Sequence, residues 1–339
     1  MTQIIKGVAM IVMIIHHSIS NNPGLPVELS RGNVTLLIGT AAKVCVCLFT
    51  ILSGYGITVS WERAKEHKGF VRKHIIKLWL SFVFVYAFCV VWKTIQGASI
   101  AGVYGNGITG FLYFLKDIAG LQNFIIETPT LVRVWWYMET IFICYILFPL
   151  FYRIICKSRA AAIGLLMILY TPWVVYQIRM GWGWHTDREL FYLFSFALGM
   201  ICARYHILDG LAELSSKRRA VCSICSAAAM LAVFLLRSRL CLIADPFWAL
   251  SIIAFCICAV AAIPVFSDAL SELGTVSSDM YMFHSVVLSS MRALSFTILP
   301  FRVLFVVCLS WGIALFLKRL KDLIHYPQLI ALVTSRIVK

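Results

Sequence analysis

Charge of either sign is scarce in this chain, and acidic charge most of all. Only 13% of the 339 residues are charged, and 15 acidic residues stand against 30 Lys and Arg. A soluble domain covers its surface with roughly 25% charged residues, so the chain lacks the charge to solvate one of this length. The net charge of +15 is not gathered on one face with aromatics between, which argues against a nucleic-acid surface. Metal-ligand spacing is also missing. Of twelve cysteines, Cys45, Cys89, Cys144, Cys202, Cys256 and Cys308 lie within apolar runs, where cysteine behaves as a small hydrophobe. Cys222-x-x-Cys225 has no second Cys/His pair at zinc spacing and falls in an expected span, so no metal is expected. No A-x-A-like cleavage site follows the first apolar run, which carries a lone Lys6 and ends in "HHSISNNPG". A retained first transmembrane helix is expected there rather than a signal peptide. No period of 20–50 residues repeats and no two-half symmetry shows, whereas many transporter folds carry internal repeats.

What the chain has in abundance is apolar sequence. Hydrophobic residues make up 61% of it, and the mean hydropathy is +0.89. Apolar runs of about 18–20 residues recur along its length, as crossing a hydrocarbon core of roughly 30 Å requires. The pattern predicts an all-α polytopic membrane protein, a single transmembrane domain over 1–339 with no separate soluble domain. Ten spans are expected, at 4–20, 35–60, 74–95, 133–153, 160–178, 190–205, 219–237, 245–266, 277–297 and 300–318. The stretch "GFLYFLKDIAGLQNF" at 110–124 holds Lys116 and Asp117 in its middle. It reads as an interfacial or re-entrant segment.

The basic residues orient the spans. With the N-terminus cytoplasmic, one side receives Lys6, the run from Arg63 to Lys77, Arg153 to Arg159, Arg204 to Arg219, and Lys318 to Lys339. The opposite side receives only scattered residues: Arg31, Lys93, Lys116, Arg133, Arg179, Arg188, Arg237, Arg239 and Arg302. That asymmetry places both termini in the cytoplasm.

Ionisable groups at membrane depth cost several kcal/mol and are functional candidates by default. They are His16, His17, Lys43, Glu139, Asp279, His284 and Arg292. From Lys6 to His17 is roughly 16 Å along a helix, and from Val276 to His284 roughly 12 Å. Both histidines therefore fall at similar depth, and neutral imidazole suits proton transfer near neutral pH. Two readings stand for each histidine: a proton-transfer group, or a hydrogen bond to a neighbouring helix. His16 and His17 diverge by about 100° around the helix, so one of them is expected to face the bundle. Glu139 has as its plain reading a pair with an outer-leaflet Arg or Lys, and Lys43 and Arg292 could snorkel outward. The segment "ERAKEHKGFVRKHIIKLWL" is the densest basic cluster. It is a positive-inside loop or an anionic-lipid contact in one reading. In the other, it captures a phosphorylated cytosolic donor.

Taken in order, five motifs resemble those of the integral-membrane acyltransferase 3 family. "KGVAMIVMIIHH" carries a basic residue, ten residues, then His17; Lys6 stands where Arg is commoner. "FTILSGYGI" matches the second-helix signature through Ser53 and Tyr55. "FVRKHIIKLW" matches the basic entry to the third helix, with His74 and Lys77 in place of Arg and Leu80 in place of a common Pro. Trp136, Tyr145 and Pro149 match the fourth. Members often place two Glu five and six residues after that Trp; here Ile141 and Phe142 stand there, and Glu139 lies earlier. "LGTVSSDMYMFHSVV" matches the last, from Leu273 through Tyr281 to His284.

The resemblance implies O-acylation of cell-surface carbohydrate in a bacterial cytoplasmic (inner) membrane. The implied donor is acyl-CoA, most naturally acetyl-CoA, its phosphates held by Lys6, Arg72, Lys73, His74 and Lys77. The implied acceptor is a hydroxyl of a glycan or lipid-linked sugar arriving from the other side. His17 is the expected general base, and His284 orients the reactants or stabilises the oxyanion. Ser53, Tyr55, Trp136, Glu139 and Tyr281 are further intramembrane polar candidates. The bilayer, acyl-CoA and the glycan are the implied partners, with no nucleic acid. Two other classes fit parts of the sequence: a transporter or flippase of a sugar or cell-envelope precursor, and a sensor or envelope scaffold.

Overall fold

The computed structural model describes residues 1–20, 34–180, 189–290 and 299–337. The expectations for Arg31, Arg188, Arg292 and Lys339 lie outside the described residues. Sixteen α-helices and no strand occur among the described residues. In order they are α1 (Thr2–Ser20), α2 (Val34–Ala41), α3 (Cys45–Arg63), α4 (Phe70–Ile95), α5 (Ile100–Tyr104), α6 (Gly107–Ile118), α7 (Trp136–Lys157) and α8 (Arg159–Met180). There follow α9 (Tyr192–Arg204), α10 (Ile207–Ala212), α11 (Ser216–Leu240), α12 (Asp245–Cys258), α13 (Pro264–Thr275), α14 (Ser277–Ser290), α15 (Leu299–Leu323) and α16 (Tyr326–Ile337).

Eight helical stretches are long and apolar enough to cross a bilayer, which makes this an all-α, multi-pass membrane protein. Two of the ten expected spans are not among them. Within 190–205 the helix has 13 residues, about 20 Å at 1.5 Å per residue, short of a ~30 Å core. It is apolar for another reason: every residue of α9 from Tyr192 to Met200 is buried against protein. Within 277–297, α14 is described to Ser290. The twelve-residue α13 was not expected. "PVFSDALSELGT" mixes acids with apolar residues and is too short to span, yet Pro264 at its first turn suits a helix start, where the missing N–H has no partner to lose.

The chain folds as two compact units. The first comprises Met1–Arg63, Pro149–Ser277 and Phe296–Phe305, and the second Ala64–Phe148, Ser278–Ser295 and Val306–Lys339. One boundary falls on Pro149 within α7, where proline removes an i→i−4 hydrogen bond.

In the first unit α1 packs along α13, α3 along α9, and α11 along α12. Without a hydrophobic drive between helices in lipid, close packing needs small residues at the crossing. A Cβ on Gly7 would collide with the Leu270 carbonyl, and one on Gly274 with that of Gln3. Gly54 and Gly199 act the same way at the α3–α9 crossing, against the carbonyls of Phe196 and Ile51. Thus Gly7 of "KGVAM", Gly54 of "LSGYG" and Gly274 of "LGTVS" have a packing reason that does not depend on chemistry.

The second unit is organised around α4 by aromatic layers. Trp135 lies 5.0 Å from Phe82 and 5.3 Å from Tyr86, centroid to centroid. Phe283 of α14 lies 5.3 Å from Phe88 and 5.6 Å from Trp92. Such pairs add about 0.5–1.5 kcal/mol each beyond their buried area. Tyr326 at the start of α16 donates to the Leu80 carbonyl at 2.8 Å.

Candidate active site

In the first unit, α1 carries Lys6, His16 and His17, all half-buried. The eleven-residue separation of Lys6 and His17 lies on one uninterrupted helix, so it is a real length of roughly 16 Å. His16 donates from Nδ1 to the Gly39 carbonyl of α2 at 2.7 Å; a carbonyl can only accept, so Nδ1 carries the hydrogen. The His16 and His17 rings meet edge-on, 4.8 Å apart. Lys43 lies in a 3₁₀ turn between α2 and α3, half-buried.

Ser53 is half-buried on α3, two residues before Tyr55, which is 7% exposed. The Tyr55 hydroxyl donates to Asp209 Oδ1 of α10 at 2.8 Å, and His206 Nδ1 lies 3.3 Å from Asp209 Oδ2. Directly after Trp61 at this end of α3, Glu62 continues the polar belt: Tyr152 donates to Glu62 at 3.2 Å and Arg204 reaches it at 3.4 Å.

In the second unit, the first turns of α4 present Arg72, Lys73 and Lys77 to the exterior. His74 departs from that set. Its Nδ1 donates back to the Phe70 carbonyl at 2.9 Å, and its ring lies 4.1 Å from that of Phe70. Three strong cations therefore share an exposed face suited to phosphates, with the imidazole folded against the helix.

The same unit holds His284 on α14, with 0% exposure. Its Nδ1 donates to the Tyr281 carbonyl at 2.7 Å, so in the neutral ring Nε2 is the acceptor. The Tyr281 hydroxyl donates to the Val134 carbonyl at 2.5 Å, and Trp135 Nε1 donates to the Met282 carbonyl at 2.9 Å. Trp136 is half-buried, its ring 6.1 Å from Tyr137, which in turn lies 5.6 Å from Tyr281. Asp279 pairs with Lys321 at 2.5 Å, and the Lys321 ammonium sits 5.2 Å from the centre of the Phe84 ring. Lys321, which the sequence assigns to a cytoplasmic tail, is thereby drawn into the helix bundle.

Between α4 and α7 the chain turns back. Tyr104 at the end of α5 bonds Tyr86 at 2.6 Å, while Trp79 Nε1 donates to Ile118 at the end of α6 at 3.0 Å. The chain thus runs antiparallel to α4, and Ile118 lies level with Trp79, roughly 24 Å back from Ile95 at helical rise. Non-helical backbone at such depth must be satisfied by protein or water. Within residues 119–132 several N–H groups bond nearby backbone carbonyls, and two are taken up by carboxylates. Asp117 accepts from the Leu131 N–H at 2.8 Å, Thr130 at 2.7 Å and Tyr104 at 2.5 Å, and Glu139 accepts from the Asn123 N–H at 3.1 Å.

Three of these groups leave little signal in the sequence. In the sequence Asp117 only interrupts an apolar run; in the fold it is 1% exposed. Trp135, hidden beside the motif's Trp136, is the deeply buried partner of the pair. Arg237 ends the expected span 219–237 and counts among the outer-side cations; α11 continues past it, and it forms a bidentate pair with Asp245 at 2.6 and 3.0 Å. Eight residues between two apolar helices, one basic and one acidic at the ends, was the available signal. Among the described residues no three His, Cys, Asp or Glu side chains converge as metal ligands.

Fold and site together define a multi-pass helical membrane protein with one buried and several half-buried histidines and with buried carboxylates. The model of the acyltransferase domain family, acyltransferase 3, matches residues 3–319, nearly the whole chain, and the protein belongs to that family. Its class of activity is therefore membrane acyl transfer. Comparison with the curated proteins and with the solved structures gives no significant match.

Proposed function

We propose that the protein is a membrane O-acyltransferase that moves an acyl group, most naturally acetyl, from cytosolic acyl-CoA to a hydroxyl of an extracytoplasmic or lipid-linked glycan. The observation that carries this reading is the family match over 3–319 together with His17 eleven residues beyond Lys6 on one continuous helix. In this reading the N-terminus faces the cytoplasm of a bacterial inner membrane. Arg72, Lys73, His74 and Lys77 on α4, and separately Lys6 on α1, are the basic groups proposed to meet the phosphates of CoA. A thioester is a modest electrophile toward an alcohol, so the alcohol needs a base. His17 removes the acceptor hydroxyl's proton as its oxygen attacks the thioester carbonyl. The carbonyl π electrons collapse back, the C–S bond breaks, and CoA leaves as thiolate.

His284 serves the same reaction by orientation. The bond from Nδ1–H to Tyr281 gives a neutral ring an accepting Nε2. An accepting Nε2 can take a hydrogen bond from a second hydroxyl of the acceptor sugar, whereas donating to an oxyanion would need a protonated ring. A positioned base is worth about 10²–10⁴-fold, and alignment of two substrates can exceed that.

The test is mass spectrometry or NMR of surface polysaccharide from wild-type, deletion and His17→Ala cells. An acetyl signal lost in both mutants is the expected result. A purified protein that neither binds nor turns over acyl-CoA, with His17→Ala silent in cells, overturns the reading.

A further inference from the structure

The backbone between α6 and α7 does more than connect two helices. It carries a backbone outlier at its tip: Ile125 has φ +68°, a conformation that a β-branched residue adopts only when its surroundings force it. The forcing groups flank it. On one side the Glu139 carboxylate accepts the Asn123 N–H; on the other the Lys116 ammonium donates to the Ile126 carbonyl. Thirteen residues from Lys116's neighbour Asp117, the chain is gripped again, through Thr130 and the Leu131 N–H. Gln122 ties these grips together, accepting from Thr130 at 2.6 Å and donating to the Arg133 carbonyl at 3.1 Å.

The far end of this held segment touches α14 at two consecutive residues. Val134 receives the Tyr281 hydroxyl and Trp135 donates to the Met282 carbonyl. Tyr281 is the residue whose own carbonyl takes the His284 Nδ1–H. We infer that Asp117 is a positioning residue for His284, with Glu139 as its second anchor: the two carboxylates hold residues 119–135 so that Val134 and Trp135 set α14 at Tyr281–Met282 and keep His284 with its hydrogen on Nδ1. This rests on the acyl-transfer role proposed above for the effect on rate, but not for the effect on the histidine. It also supplies a role for Glu139, which stands off the family's paired-Glu position.

Asp117→Leu removes the acceptor of the Leu131 N–H and leaves Thr130 only its bonds to Gln122 and the Val132 carbonyl, at similar volume. Asp117→Asn keeps an oxygen for the Leu131 N–H and an amide that Thr130 can accept from. The experiment measures acyl transfer per folded molecule in detergent or nanodiscs, and ¹⁵N NMR of histidine-labelled protein, with the His284 resonances assigned by difference against His284→Gln. For Asp117→Leu, kcat is expected to fall on the order of 10²-fold, the usual consequence of a misplaced group, with KM for acyl-CoA unchanged. The His284 signals should pass from one tautomer to a mixture. Asp117→Asn should restore both. Wild-type kcat per folded molecule in Asp117→Leu overturns the inference, as does an unchanged His284 tautomer. If Asp117→Leu fails to fold, Tyr281→Phe, which deletes only the bond to Val134, must show the same tautomer mixing, and a wild-type spectrum there overturns it. Absence of any thioester turnover in the wild type instead sinks the proposed function, while the NMR comparison still decides the positioning.

Discussion

His16 and His17 stand side by side, and their chemistry separates them. His16 spends its Nδ1–H on the Gly39 carbonyl, a bond worth about 1 kcal/mol net. His16→Ala should therefore lower thermal stability by about that amount and leave acyl transfer near wild type. His17→Ala should lose transfer by about 10²–10⁴-fold with stability little changed. Activity and unfolding measured on the same two preparations check both. The Arg237–Asp245 pair gives a sharper stability prediction, because both side chains are almost fully buried, at 3% and 2% exposure. Removing one partner strands a buried charge, so Asp245→Leu should cost about 3–5 kcal/mol, whereas Arg237→Met with Asp245→Leu should recover most of it. Thermal unfolding of the two single variants and the double variant decides whether the charges act as a unit.

At the scale of elements, glycine crossings and the segment between α4 and α7 do most of the placing. Gly54 and Gly56 differ by two positions in "SGYG" and by everything in surroundings. A Cβ at Gly54 runs into the α9 backbone, while one at Gly56 meets nothing within 4 Å. Gly54→Ala is expected to reduce the folded yield sharply, and Gly56→Ala to leave it unchanged or slightly improved, since alanine is the better helix former. Size-exclusion profiles of the two variants read this directly. The sequence motif alone did not distinguish them. Likewise, the residues 110–124 were legible as something other than a span, because Lys116 and Asp117 interrupt the apolar run. Which way the chain turned was not legible, since the partners Trp79, Tyr86 and Tyr104 are ordinary aromatics in ordinary helices.

For the whole molecule, the proposed acyl-CoA donor and the exposed cations at the start of α4 together give a kinetic prediction. Charge reversal at Lys73 or Lys77 should raise KM for acyl-CoA by several-fold each, in keeping with about 1 kcal/mol for an exposed ion pair, with kcat preserved. Added salt should raise the wild-type KM and flatten the difference between wild type and variant. Steady-state kinetics at two ionic strengths test it.

Membrane residence, helical class and family were determined by the sequence by itself. Each rests on properties that composition and spacing record: apolar runs matched to bilayer thickness, and motifs that keep their order along the chain. The span count was less secure, because a helix buried in protein, such as α9, is as apolar as one that faces lipid. Hydropathy cannot tell protein from hydrocarbon. Only the tertiary structure decided which polar groups meet: that Asp117 takes up the Leu131 N–H, that Arg237 finds Asp245, and that the carbonyl of Tyr281 holds the hydrogen of His284. Those pairings depend on directions and distances of a few ångströms between residues far apart in sequence. No one-dimensional pattern carries that information.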